Sequence, residues 1–212
     1  MNIAILIYDG FTALDAIGPY EVLSCLPDAR VQFVSTEVGP KRAHTNFLSV
    51  VADYSLQDIR NPDILVVAGG TSGTLAAAQN PAILSWVQKA HETSRWTTSV
   101  CTGSLILGAA GILNGLQATT HWYARDLLPK FGAEYVPERV VPQGKIITAA
   151  GVSSGIDMAL FLAQQIAGKE MAQMIQLIIE YDPQPPNQSG SISKADASII
   201  EMAKRAAETA FA

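Results

Sequence analysis

Two cysteines, three histidines and a charged fraction of only 16% leave little for several whole classes of function. Cys25 and Cys101 cannot make a disulfide framework, and neither CxxC nor HExxH occurs, so no metal site is legible and both thiols are expected to be reduced. No GxGxxG opens the segment after the first strand and no GxxxxGK[ST] is present, which removes the usual cradles for dinucleotides and nucleoside triphosphates. No apolar run approaches the ~18 residues of a membrane span, and Met1-Asn2-Ile3-Ala4-Ile5 lacks the basic start of a secretory signal. A cytoplasmic protein without a membrane partner is expected. A net charge of −5 and a pI near 5.1, with no Lys/Arg cluster, argue against nucleic acid.

What remains is 212 residues, 49% of them hydrophobic, enough for one large core, and a single domain over residues 1–212 is expected. Residues 2–8 form a continuous apolar run of strand length, as a sheet covered on both faces requires, and residues 63–68 form another. Residues 31–35 alternate as a strand, 47–52 form a short excursion, and 134–136, 139–141 and 145–148 read as further short strands. Helices are expected after the first strand, with Gly18-Pro19 breaking that one early, and over 75–78, 81–93, 154–167 and 169–180. The alternation predicts an α/β fold with a mostly parallel sheet between helices. A proline-rich stretch, 182–190, and a C-terminal amphipathic helix, 194–210, complete the chain, which has no internal repeat.

The chemistry concentrates at one sheet edge. β-favouring residues 97–100 run into Cys101, and Thr102-Gly103-Ser104 leads at once into an apolar helical run. A thiol at such a strand-to-helix turn stands beside free N–H groups and the positive end of a helix dipole, so it is expected to favour thiolate. Gly103 is expected to let the turn be tight and to leave room above the sulfur. Asp15, in the loop or first turn after the first strand, and Gly69-Gly70, after the third, should reach the same edge, where open α/β folds bind ligands. A carboxylate, a thiol and backbone donors suit nucleophilic addition with proton transfer. His121 precedes Trp122 at an expected strand end, where capping or packing competes with a role as base. His44 and His91 read as surface residues and Cys25 as packing.

The segments Ser99-Val100-Cys101-Thr102-Gly103-Ser104, Ala68-Gly69-Gly70-Thr71, Leu14-Asp15-Ala16-Ile17-Gly18-Pro19 and Ala118-Thr119-Thr120-His121-Trp122 together resemble the ThiJ/PfpI superfamily, over almost the whole chain. That resemblance implies a flavodoxin-like, class I glutamine amidotransferase-like fold, a homodimer, and neither metal nor organic cofactor. Many members carry glutamate where this chain has Asp15; aspartate there resembles the branch that hydrates isonitriles to N-substituted formamides. The implied roles are Cys101 as nucleophile forming a thioimidate, Asp15 as proton shuttle, Thr102 positioning water or sulfur, and the N–H groups of Gly70 and Thr102 stabilising charge in the adduct. A glyoxalase- or deglycase-like enzyme acting on α-oxoaldehydes, and a non-catalytic cysteine-based redox sensor, are the competing readings.

Overall fold

The structure, a computed structural model, describes residues 1–211; Ala212 lies outside the described residues. Its first half begins with β1 (Asn2–Leu6), α1 (Ala13–Leu23) and β2 (Arg30–Ser35). A hairpin of β3 (Gly39–Arg42) and β4 (Ser49–Ala52) and the two-residue β5 (Tyr54–Ser55) follow. Next come β6 (Ile64–Val67), α2 (Ser72–Ala77), α3 (Pro81–Thr93), β7 (Trp96–Val100) and α4 (Gly103–Ala109). The second half contains β8 (Gln117–Ala118), a 3-10 helix over Trp122–Phe131, β9 (Glu134–Tyr135), β10 (Val140–Gln143) and β11 (Ile146–Ala149). Helices α5 (Ser154–Ala167), α6 (Lys169–Ile178) and α7 (Ala197–Phe211) close the chain.

Seven strands form the main sheet in the order β10-β11-β7-β6-β1-β2-β5, every pairing parallel except the antiparallel edge strand β10. The mostly parallel α/β architecture expected from the sequence is present. The central strands are sealed on both faces: Ile3 to Leu6 and Ile64 to Val67 are fully buried, which is why their sequences are unbroken apolar runs. The chain leaves β1 for β2 on one side and returns to β6 on the other, so the direction of winding reverses between β1 and β6, and a cleft opens at their carboxyl ends.

Two local expectations are corrected. Gly18-Pro19 does not end the first helix: α1 continues to Leu23 with Pro19 inside it. Packing on α5 overrides the lost backbone bond, because Gly18 lies against Ile156 and Pro19 against Gly155, whose missing Cβ lets the two helices approach. The strand expected to end at His121-Trp122 stops at Ala118, and His121 is the N-cap of the 3-10 helix, its Nδ1 accepting from the Tyr123 N–H at 3.4 Å.

Helix α3 begins at Pro81 as expected, and Asn80 caps it: its Oδ1 accepts from the N–H groups of Ala82 and Ile83. Its C-terminus is held by a more distant residue. Lys145 Nζ donates to the carbonyls of His91 and Ser94, and His91 Nδ1 meets Thr97 Oγ1 at 2.9 Å, so His91 is half-buried instead of lying free on the surface.

Candidate active site

Four neighbouring parallel strands deliver the site. Asp15 follows β1, Gly69-Gly70 follows β6, Cys101 follows β7 and Ala150-Gly151-Val152 follows β11, and these strands lie side by side in the sheet. Cys101 is the first of the two residues between β7 and α4, with φ +58°, a conformation that a side chain with a Cβ adopts only under constraint. The constraint comes from three places. The Cys101 N–H donates to Ala149 O and Ala150 O at 3.0 Å, its carbonyl accepts from Thr120 Oγ1 at 3.1 Å, and Gly103 packs so closely on β6 that a Cβ there would stand 2.2 Å from Val67 O. Gly103 is thus required below the turn, against β6, and not for space above the sulfur.

Asp15 lies in the first turn of α1, fully buried. Its Oδ2 accepts from the Gly69 N–H at 3.0 Å, its Oδ1 makes no hydrogen bond, and the Cys101 thiol is a neighbour that acts on its ionisation. Burial dominates the electrostatics and pushes the Asp15 carboxyl up to about 8, against the pull of Gly69 and the thiol. Cys101 is only 4% exposed. Burial pushes its thiol well up, and the Asp15 charge adds to this; the N–H groups of Val152 and Thr102, which reach the sulfur, act the other way and are outweighed. The expectation of a resting thiolate is therefore corrected. Both shifts favour the protonated acid and the protonated thiol over their ions, because the two groups are removed from water.

Thr102 and Gly70 are bound to each other. The Gly70 N–H donates to Thr102 Oγ1 at 2.9 Å and the Thr102 hydroxyl contacts Gly70 O at 2.8 Å, so neither group is aimed at the sulfur. The donors that do reach it are backbone N–H groups, and one of them, Val152, was invisible in the sequence. A β-branched residue at φ +35° after a strand has no sequence signal, since only the fold compels it.

A cavity of about 550 Å³ lies beside the pair. His121, Trp122 and Tyr135 line one side and Ile192 and Ser193, from beyond the proline-rich stretch, another. Cys101 and Asp15 do not line it; Ala150 and Val152, which both hydrogen-bond Cys101, form the shared wall. Burial lowers the His121 pKa, and its contact with the Tyr123 N–H leaves the proton on Nε2.

The DJ-1/PfpI family profile matches residues 1–165. The chain belongs to the DJ-1/PfpI family. It is 40% identical over 207 residues to the isonitrile hydratase of Pseudomonas putida, covering 98% of this chain and 90% of that one. A ThiJ/PfpI family protein from Pseudomonas syringae superposes with a TM-score of 0.92 at 37% identity, over 99% of this chain and 88% of the other. A glutathione-independent glyoxalase of Caenorhabditis elegans is 27% identical over 57% of this chain and 65% of its own length. Among the described residues no three His, Cys, Asp or Glu side chains are grouped to hold a metal ion, and no helix is long and apolar enough to cross a membrane.

Proposed function

We propose that this protein is an isonitrile hydratase, adding water to R–NC to give the N-substituted formamide R–NH–CHO. The observation that carries this reading is the buried Asp15–Cys101 pair, in a chain 40% identical to an isonitrile hydratase over nearly its full length. Isonitrile carbon accepts a nucleophile and a proton at the same atom, and the pair offers one of each. The Cys101 sulfur bonds to that carbon while a proton passes to it by way of Asp15, giving the thioimidate R–N=CH–S. Water then adds across C=N, nitrogen takes a proton, the C–S bond breaks, and the sulfur recovers its proton as the formamide leaves.

The N–H groups of Thr102 and Val152 take up charge on sulfur as it departs, and Gly70 serves by holding Thr102 in place. Neither an organic cofactor nor a metal is required by this sequence of steps. The protein is read as one α/β domain, working as a homodimer in the cytoplasm.

The test is to incubate purified protein with aryl and alkyl isonitriles and with methylglyoxal in parallel. Formamide should accumulate with wild type and not with Cys101→Ala. Loss of methylglyoxal without formamide would replace this reading by the glyoxalase one. Oxidation of Cys101 without turnover of either substrate would replace it by the sensor.

A further inference from the structure

Behind the elbow lies a run of buried hydroxyls that the proposed reaction does not use. Tyr8 Oη contacts Ala68 O at 2.8 Å and Thr74 Oγ1 at 2.9 Å; Thr74 Oγ1 contacts Thr102 Oγ1 at 2.9 Å; Thr102 Oγ1 contacts Gly70 O at 2.8 Å. The run thus begins and ends on a carbonyl, which can only accept. Three hydroxyls supply three protons, and the contacts are four. One contact always lacks a proton, so the run has more than one arrangement. With all protons directed from Tyr8 toward Thr102, the unfilled contact is at Ala68 and the positive end of the run lies at the elbow. With all directed the other way, the unfilled contact is at Gly70 and the positive end lies behind β6. Changing between them needs only rotation of O–H bonds, because every heavy atom is fixed by burial: Thr74 and Thr102 are inaccessible and Tyr8 nearly so.

The end at Thr102 adjoins the reactive pair. The point where a Gly69 Cβ would stand is 2.7 Å from Thr102 Oγ1 and 2.8 Å from Asp15 Oδ2, so these two oxygens flank one small space. We propose that Tyr8 and Thr74 are positioning residues, which with Thr102 form a reversible chain of hydroxyl dipoles that turns its positive end toward the Asp15–Cys101 pair when the pair takes negative charge. A fixed cation would hold the pair ionised at all times. The chain supplies the field only on demand. The titratable groups around the pair are Tyr8, two residues beyond β1, and, on the cavity side, His121, whose pKa burial lowers; Tyr8 itself stays protonated, its hydroxyl pushed far up by burial. Its contribution is therefore a dipole and not a charge.

The experiment needs no substrate. The rate of Cys101 alkylation by iodoacetamide, followed from pH 6 to 10.5 by the mass of the peptide that carries Cys101 and so separated from the free thiol of Cys25, reports ionisation of the pair. Tyr8→Phe and Thr74→Val each break the chain, and Thr74→Ser keeps the hydroxyl. The chain acts on the pair as an aligned dipole, so both breaking variants should shift the profile upward by up to about one pH unit and slow alkylation about threefold to tenfold at a fixed pH below the midpoint. Thr74→Ser should follow wild type. Circular dichroism identifies any variant that fails to fold, and Thr74→Val, nearly isosteric with threonine, serves if Tyr8→Phe does. Profiles of the folded breaking variants that superpose on wild type, or a Thr74→Ser profile displaced as far as that of Thr74→Val, would overturn the proposal.

Discussion

Gly69 and Asp15 share one hydrogen bond, from N–H to Oδ2 at 3.0 Å, and a Cβ placed on Gly69 would stand 2.8 Å from that same oxygen. It would also meet Thr102 N at 2.6 Å and Thr102 Oγ1 at 2.7 Å. The backbone nitrogen cannot yield without moving the elbow, and the carboxyl cannot yield without leaving its donor. Gly69→Ala should therefore displace the carboxyl from the thiol and cut isonitrile hydration by ~10²-fold or more, on the scale of losing a positioned proton-transfer group. Formamide production measured beside the far-ultraviolet circular dichroism spectrum checks this; a wild-type rate would show that the close approach is not needed.

Asp15→Asn should lower the hydration rate by ~10²-fold or more, and it should also alter how stability depends on pH. The carboxyl rises from 3.8 to about 8 on folding, so the native state keeps a proton that the unfolded chain has released over that interval. A raised pKa contributes stability that is complete below about pH 4 and is lost as pH climbs to about 8. Urea midpoints of the two proteins across that range should diverge steadily in favour of Asp15→Asn as pH rises. Parallel curves would mean that Asp15 ionises in the native state as it does in water.

The thiol should behave as a reluctant nucleophile when no substrate is bound. Burial and the Asp15 charge both hold its pKa up, so iodoacetamide should react slowly at pH 7 and faster through the alkaline range. Removing the opposing charge in Asp15→Asn should move the rise to lower pH. A wild-type thiol already fully reactive at pH 7 would contradict the balance described for the site.

Far from the cleft, Lys145 should matter for stability alone. Its ammonium satisfies two carbonyls at the end of α3, and Lys145→Met would leave both without that donor, at a cost of ~1 to 3 kcal/mol. Urea unfolding measures the loss, and the hydration rate of the folded variant should equal that of wild type.

Much of this framework was legible in the residues themselves. Residues 2–8 and 63–68 announce buried parallel strands because both faces are covered, and the span expected for α3, 81–93, follows from a local pattern opened by a proline in the first turn. The convergence of Asp15, Gly69-Gly70 and Cys101 follows from strand order and needs no side-chain detail. What escaped was non-local. Pro19 remains helical only because α5 supports it, Val152 turns its N–H to the sulfur only because β11 ends there, and the thiol's ionisation is decided by burial and not by the helix that follows it. The commitment of Gly70 N–H to Thr102 likewise depends on two segments 32 residues apart meeting face to face.

The uncharged acid–thiol pair bears on which molecules enter easily. An ionic nucleophile would bring a hydration shell that each incoming reactant must strip away, and it would repel or trap salts from the surrounding solution. A pair that rests without charge has no such shell, so a small neutral molecule with weak hydrogen-bonding ability competes for the space on favourable terms. Isonitriles are molecules of that kind, and the formamide they become, a far stronger hydrogen-bonding group, is drawn back out toward water.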